Sequence, residues 1–250
     1  MAGNIMSLNF NPRVVHVLDE IERFGLSNDP VQTDRQSKML NLERSTAELI
    51  HVLLLSSARK RVLEIGTSNG FSAIVIGATL QSIEGAVPLT TIELDPLKVS
   101  GARTNIAHAD LSFIVRVIHG SATEVVHELA GPFDCVFFDA DRMSAREQLQ
   151  ILLPKLAPDV LLLADNVLSH PQEIADYIAE VEQLPGFVSV TVPVGKGLHV
   201  AYRQKATSPG QSQTSSSASP PNLRGNHLPR TKRTRIADAD SRKPNENSDD

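Results

Sequence analysis

A doubly wound α/β fold with a seven-stranded, mostly parallel sheet is what the sequence predicts, and three observations predict it. Short β-branched runs alternate with longer amphipathic stretches from about residue 61 to 183, the pattern of βα units around a parallel sheet. The first apolar run passes directly into a glycine-bearing turn, EIGTSNGFS at 64–72. Hydrophobic residues make up 41% of the 250-residue chain, enough to bury one sizeable core.

Two amphipathic stretches, 13–24 and 45–55, read as helices ahead of the sheet. Strands are expected at 61–65, 89–92, 114–118, 135–138, 160–164, 187–192 and 198–202. Helical periodicity fills the gaps at 72–80, 96–108, 123–129, 145–153 and 171–183. Pro171 supports the start of the last helix, because a first-turn residue needs no backbone donor. The final two strands are joined only by PVGKG at 193–197, which leaves no room for a crossover helix and predicts a C-terminal antiparallel hairpin at the sheet edge. From Lys205 onward the composition shifts to Ser, Pro, Asn and charge, which cannot offset its ordering entropy. The expected organisation is a flexible 1–10, a domain over 11–204 and a disordered low-complexity tail over 205–250.

Lys and Arg total 24 against 29 Asp and Glu, and a net charge of −5 argues against a surface built wholly for nucleic acid or anionic lipid. The single cysteine, Cys135, permits no intramolecular disulfide and reads as a buried small hydrophobe. No apolar run reaches the roughly 20 residues of a membrane span, and MAGNIMSLNFNPR lacks the regions of a secretory leader. The expectation is a cytoplasmic chain acting on a small ligand. The cluster Arg230, Lys232, Arg233 and Arg235 could contact RNA or serve nuclear import, or be a solvated tail.

Glycines in the 64–72 turn let backbone approach a ligand closely, and the helix that follows offers free amides to a carboxylate or phosphate. Neither the dinucleotide fingerprint nor a P-loop is met, since Ser68 holds the second glycine place and no Gly-Lys-Ser/Thr follows. A tight βα connection without a ligand remains the alternative. The second strand ends in Glu93 and Asp95, where a ribose hydroxyl pair would lie in such a sheet, although Glu93 could equally serve a helix N-terminus. The fourth and fifth strands end in FFDADR (137–142) and LADN (163–166). Asp139 and Asp165 with Asn166 then converge on one crevice, and two carboxylates there would repel unless a cation lay between them. All-oxygen ligation selects a hard ion, magnesium first, with manganese or calcium open. Helix capping by the two aspartates is the competing reading. No metal-like histidine pairing and no Gly-x-Ser-x-Gly nucleophile motif is present.

VLEIGTSNGFSA, TTIELDP, HGSA, FFDADR and LADN, in this order and spacing, resemble the metal-dependent class I S-adenosylmethionine O-methyltransferases, the catechol and caffeoyl-coenzyme A O-methyltransferase-like family. The resemblance runs from about residue 39 to 202. It implies a Rossmann-like class I methyltransferase domain with S-adenosylmethionine along the glycine turn. Glu64, Gly66, Thr67, Ser68, Gly70 and Ser72 would then line the cofactor. Glu93 would hold the ribose, Ala122 lie against the adenine, and Asp139 and Asp141 face the methionine end. The family's metal ligands fall on Asp139, Asp165 and Asn166. The implied reaction is transfer of a methyl group to a hydroxyl of a small, catechol-like or phenolic acceptor.

The chain departs from the plant-type pattern at several places. Arg142 stands where those relatives carry a lysine proposed to take the acceptor's proton, and arginine stays protonated at any ordinary pH. Asp139, Arg142 and His170 are the candidate catalytic residues, His170 on position alone. Lys196 occupies a place where plant enzymes have an acidic residue, residues 167–172 leave no room for a long acceptor loop, and there is no tryptophan. Two other functions stay open: a tRNA hydroxyuridine O-methyltransferase, and a non-catalytic S-adenosylmethionine-binding module. The expected partner is the small hydroxylated acceptor, with a homodimer open and no membrane.

Overall fold

The computed structural model of the chain describes residues 9–34 and 37–204. The expected disordered tail, 205–250, and residues 1–8 of the expected flexible 1–10 lie outside the described residues. Within them, α1 (Pro12–Asn28) and α2 (Arg44–Ser56) precede β1 (Val62–Ile65). There follow α3 (Phe71–Leu80), β2 (Leu89–Glu93), α4 (Pro96–His108), β3 (Val115–His119), α5 (Ala122–Glu128), β4 (Phe133–Phe138) and α6 (Ala145–Leu152). The chain ends in β5 (Leu156–Ala164), α7 (Pro171–Gln183), β6 (Phe187–Val192) and β7 (Leu198–Arg203).

The strands form one seven-stranded sheet in the order β3-β2-β1-β4-β5-β7-β6. Pairings from β3 through β5 are parallel, and β7 pairs antiparallel with both β5 and β6. The expected hairpin is present, but β7 enters the sheet beside β5 and leaves β6 at the edge. Alternate residues of the central strands feed two cores, as the twofold side-chain period requires. Val62, Cys135, Phe137 and Leu163 join the core under α1 to α4. Leu63, Val136, Phe138 and Leu162 join the core under α5 to α7. Helices on both faces make the sheet doubly wound.

α3 is buried at every position, FSAIVIGATL, because α1 and α2 pack over the side that faces away from the sheet. Its uniform hydrophobicity is therefore the mark of a sandwiched helix rather than of a membrane segment. Among the described residues no helix is long and apolar enough to cross a membrane.

β5 begins at Leu156, four residues earlier than the composition predicts. Prolines at 154 and 158 make this stretch read as a loop, yet Leu156 pairs with Phe133 across a register shift. The irregularity is where a strand tolerates proline, so tertiary pairing overrides the local signal. α1 runs to Asn28, four residues past the expected end, and the remaining boundaries agree with expectation to within two residues.

The chain runs outward from β1 to β3 and then returns to place β4 on the other side of β1. That reversal opens a crevice beyond the carboxyl ends of β1 and β4, where ligands bind in open α/β sheets. The segments leaving the strands are held in sheet register there. Asp139 N–H donates to the Ile65 carbonyl (2.8 Å), Asp165 N–H to that of Phe138 (3.0 Å) and Gly120 N–H to that of Glu93 (2.9 Å).

Candidate active site

β1 delivers the glycine turn with a tightly determined backbone. Gly66 lies at φ +104°, Ser68 at +48° and Gly70 at +92°, where it caps the N-terminus of α3. At Gly66 the requirement is steric as well as conformational, since a Cβ there would overlap the Asp139 carbonyl oxygen and lie 2.7 Å from its carbon. The turn is tied down from three sides. Thr67 and Thr91 hydroxyls meet at 2.5 Å, the Ser68 hydroxyl donates to the Met39 carbonyl at 2.8 Å, and Asn69 Nδ2 reaches Asn41 Oδ1 at 2.5 Å. Met39 and Asn41 carry no sequence signal for this role; they lie in the irregular segment before α2, and only the fold brings them here.

Glu93, at the end of β2, points its carboxylate into the same turn. It accepts from the backbone N–H of Ser68 (2.7 Å), Leu94 (3.0 Å) and Asp95 (2.9 Å). Three amides fix both oxygens and leave lone-pair capacity for a ligand's hydroxyls. The helix reading belongs to Asp95, whose side chain caps α4 through Leu97 N–H at 2.8 Å. Ala122 opens α5 just past β3, which runs beside β2.

Glu64 is fully buried on β1, and neither carboxylate oxygen has a partner in hydrogen-bond geometry. Burial pushes its pKa up to about 7, against the smaller lowering effect of the nearby Ser72 and Thr91 hydroxyls. The native state therefore holds a proton that the unfolded chain releases near pH 4.5. Stability is expected to fall as pH rises from about 4.5 through 7 and to level off above, a cost on the order of 3 kcal/mol from this group. Glu64→Gln should remove that part of the slope. Melting temperature followed from pH 5 to 8.5 checks it, and identical slopes in both proteins would refute the assignment.

The fold brings Asp139, Asp165 and Asn166 together as the sequence predicts. Asn166 Nδ2 donates to Asp139 Oδ1 at 3.0 Å, and Asn166 itself sits at φ +69°. Asp165 is buried, and its Oδ1 has no partner. Asp139 keeps some access to the crevice, yet the atoms packed around it, then the Asp165 charge and that of Glu64, raise its pKa well above the carboxylate range. Burial likewise raises that of Asp165. Two adjacent carboxylates with an orphaned oxygen form a donor set that suits a hard cation, which would offset both their repulsion and their burial. Among the described residues no group of three or more His, Cys, Asp or Glu side chains is arranged for a metal, so such an ion would rest on two carboxylates and one carboxamide.

Other candidates are occupied differently. Arg142 is buried and forked onto Glu173 through Nε (2.8 Å) and Nη2 (2.5 Å), so it ties the segment after β4 to α7. Asp141 accepts from the Ser144 hydroxyl at 2.6 Å, turned toward the start of α6. His170 caps α7, with Nδ1 2.8 Å from the Ser169 hydroxyl. Sequence reasoning singled out Lys196 without its partner: Nζ lies 2.8 Å from Glu43 Oε1, at the start of α2. Both charges act on Asp139 and Asp165. A separate cavity of about 570 Å³ between α1 and α4 shares Asn69 and Met39 with the turn but includes none of Gly66, Glu93, Asp139 or Asp165.

Comparison with known proteins agrees with this geometry. Residues 63–167 match a family model described as a methyltransferase domain. The catechol O-methyltransferase of Niastella koreensis is 32% identical over 133 residues, which is 52% of this chain and 59% of that protein. The catechol O-methyltransferase of Mycobacterium tuberculosis is 35% identical over 113 residues, 44% of this chain and 49% of that one. The chain thus spans only about half of the curated relatives it matches. The solved O-methyltransferase from Bacillus cereus in complex with SAH superposes with a TM-score of 0.66 at 20% identity, covering 79% of this chain and 94% of that one. Residues 63–167, which carry the glycine turn, Glu93, Asp139 and Asp165, thus match a methyltransferase domain, and the doubly wound fold is shared with the solved O-methyltransferase structure.

Proposed function

We propose that the chain transfers the methyl group of S-adenosylmethionine to a hydroxyl of a small catechol-like or phenolic acceptor, with assistance from a divalent cation. The observation that carries this reading is the meeting of Asp139, Asp165 and Asn166 beside the glycine turn, with an Asp165 oxygen left without a partner. A pure cofactor-binding module has no use for such a group. The relatives named catechol O-methyltransferase support the acceptor class.

In this reading Gly66, Thr67, Ser68, Gly70 and Ser72 cradle the cofactor, Glu93 accepts from its ribose hydroxyls and Ala122 adjoins its base. Asp139, Asp165 and Asn166 would hold the ion, magnesium first and manganese or calcium as alternatives. When bound, the cofactor supplies the methyl group and its own leaving group, and the cation supplies Lewis acidity that lowers the acceptor's pKa from a phenolic value of roughly 10. The chain's own contribution is positioning and charge management. Arg142 has no lone pair for the acceptor proton and is committed to Glu173, so it acts as a structural tie.

Incubation with methyl-labelled S-adenosylmethionine, catechol, a monophenol and bulk tRNA, with and without chelator, tests the proposal. Label is expected in catechol, and chelation should prevent it. Label in tRNA alone would overturn the acceptor class. Glu93→Ala should weaken S-adenosylhomocysteine binding by about 1 to 3 kcal/mol in calorimetry, the cost of removing a charged acceptor from the ribose.

A further inference from the structure

Lys196 is fixed at the rim of the two-carboxylate site by its backbone as well as its side chain. Its carbonyl accepts from the N–H groups of Leu168 (2.9 Å) and Ser169 (3.1 Å), and Val167 N–H donates to the Gly197 carbonyl (3.1 Å). These are the residues that directly follow Asp165 and Asn166, so the 193–197 loop is hydrogen-bonded to the segment that carries the candidate metal ligands. On the other side Gly195 packs so closely on α2 that a Cβ there would overlap the Thr46 hydroxyl and come within 2.9 Å of Glu43 Oε2.

The Glu43–Lys196 pair is not symmetric in what it leaves free. Glu43 Oε1 faces the Lys196 ammonium, and Glu43 Oε2 is buried, so the carboxylate offers nothing to a ligand. An ammonium carries three donors, and the pair uses one. Lys196 keeps 38% of its side-chain exposure, and its charge reaches both Asp139 and Asp165. Arg142, the other cation acting on Asp165, is spent on Glu173.

We propose that Lys196, held in place by Glu43, is a specificity residue that selects acceptors bearing an anionic substituent such as a carboxylate beside their hydroxyls. This rests on the acceptor reading above and names the substrate class within it. A compact, strongly hydrated point charge at the rim favours an anionic acceptor over a cationic one of the same shape.

The test uses two probes of one shape and opposite charge, 3,4-dihydroxybenzoate and 3,4-dihydroxybenzylamine. Their binding to the full chain with S-adenosylhomocysteine and magnesium is measured by calorimetry, and their methylation is measured separately. The wild type should bind the benzoate about 10-fold more tightly, because a partly solvated attraction on one probe is set against a repulsion of similar size on the other. K196R should keep that order, K196M abolish it and K196E reverse it, with S-adenosylhomocysteine affinity reporting that each variant is folded. Equal binding of both probes by the wild type, or an unchanged order in K196E, overturns the inference. A preference that reverses in K196E while neither probe is methylated would leave the specificity assignment standing and refute the methyl-transfer reading instead.

Discussion

Asp165→Ala is expected to lower methyl transfer by more than roughly 100-fold while S-adenosylhomocysteine still binds with affinity close to that of the wild type. The separation follows from where the residue lies. Asp165 directly follows β5, near Asp139, whereas the glycine turn follows β1 and Glu93 ends β2. Excess magnesium should restore a chelated wild type and fail to restore the variant. Because Asp165 is buried and its Oδ1 is unpartnered, its removal relieves a desolvated charge, and the fold should tolerate the change. Asp165→Asn provides a near-isosteric check. Wild-type turnover in excess chelator, or normal turnover by either variant, would leave the metal-assisted mechanism without support.

Gly66→Ala should destabilise the domain by about 3 kcal/mol, combining left-handed backbone strain with overlap on the Asp139 carbonyl. For a domain of this size that corresponds to a fall in melting temperature of roughly 6 to 12 °C. Cofactor binding should weaken as well, because relief of the overlap requires the β1 turn and the start of the 139–142 segment to move apart. Gly101→Ala is the control. It lies in α4, where a Cβ meets nothing within 4 Å, so the substitution should be neutral or slightly stabilising through helix propensity. Similar melting temperatures for Gly66→Ala and the wild type would show that the close approach is not rigid.

Local sequence was sufficient wherever the determining contacts were local. The strand-to-helix alternation, the Gly66 to Gly70 turn and the absence of a crossover between β6 and β7 are short-range patterns, and all reappear in the sheet. The convergence of the candidate residues at or just past strand ends, Glu93, Asp139, Asp165 and Asn166, was legible for the same reason, since a parallel sheet sends every such end to one crevice. Arg142 was visible as a departure, but its fork onto Glu173 was not, because that contact depends on α7 folding back across the segment after β4.

The sequence by itself determined the class of fold, the place of the glycine turn and the chemical types gathered at the carboxyl ends, because twofold and 3.6-residue periodicities act within each element. Only the tertiary structure decided that β7 lies between β5 and β6, that residues 156–159 extend β5 through a proline, and that Glu43 meets Lys196. Each of these joins segments distant in the chain, and such pairings are chosen by burial and backbone hydrogen bonding in the assembled sheet, which no local propensity encodes.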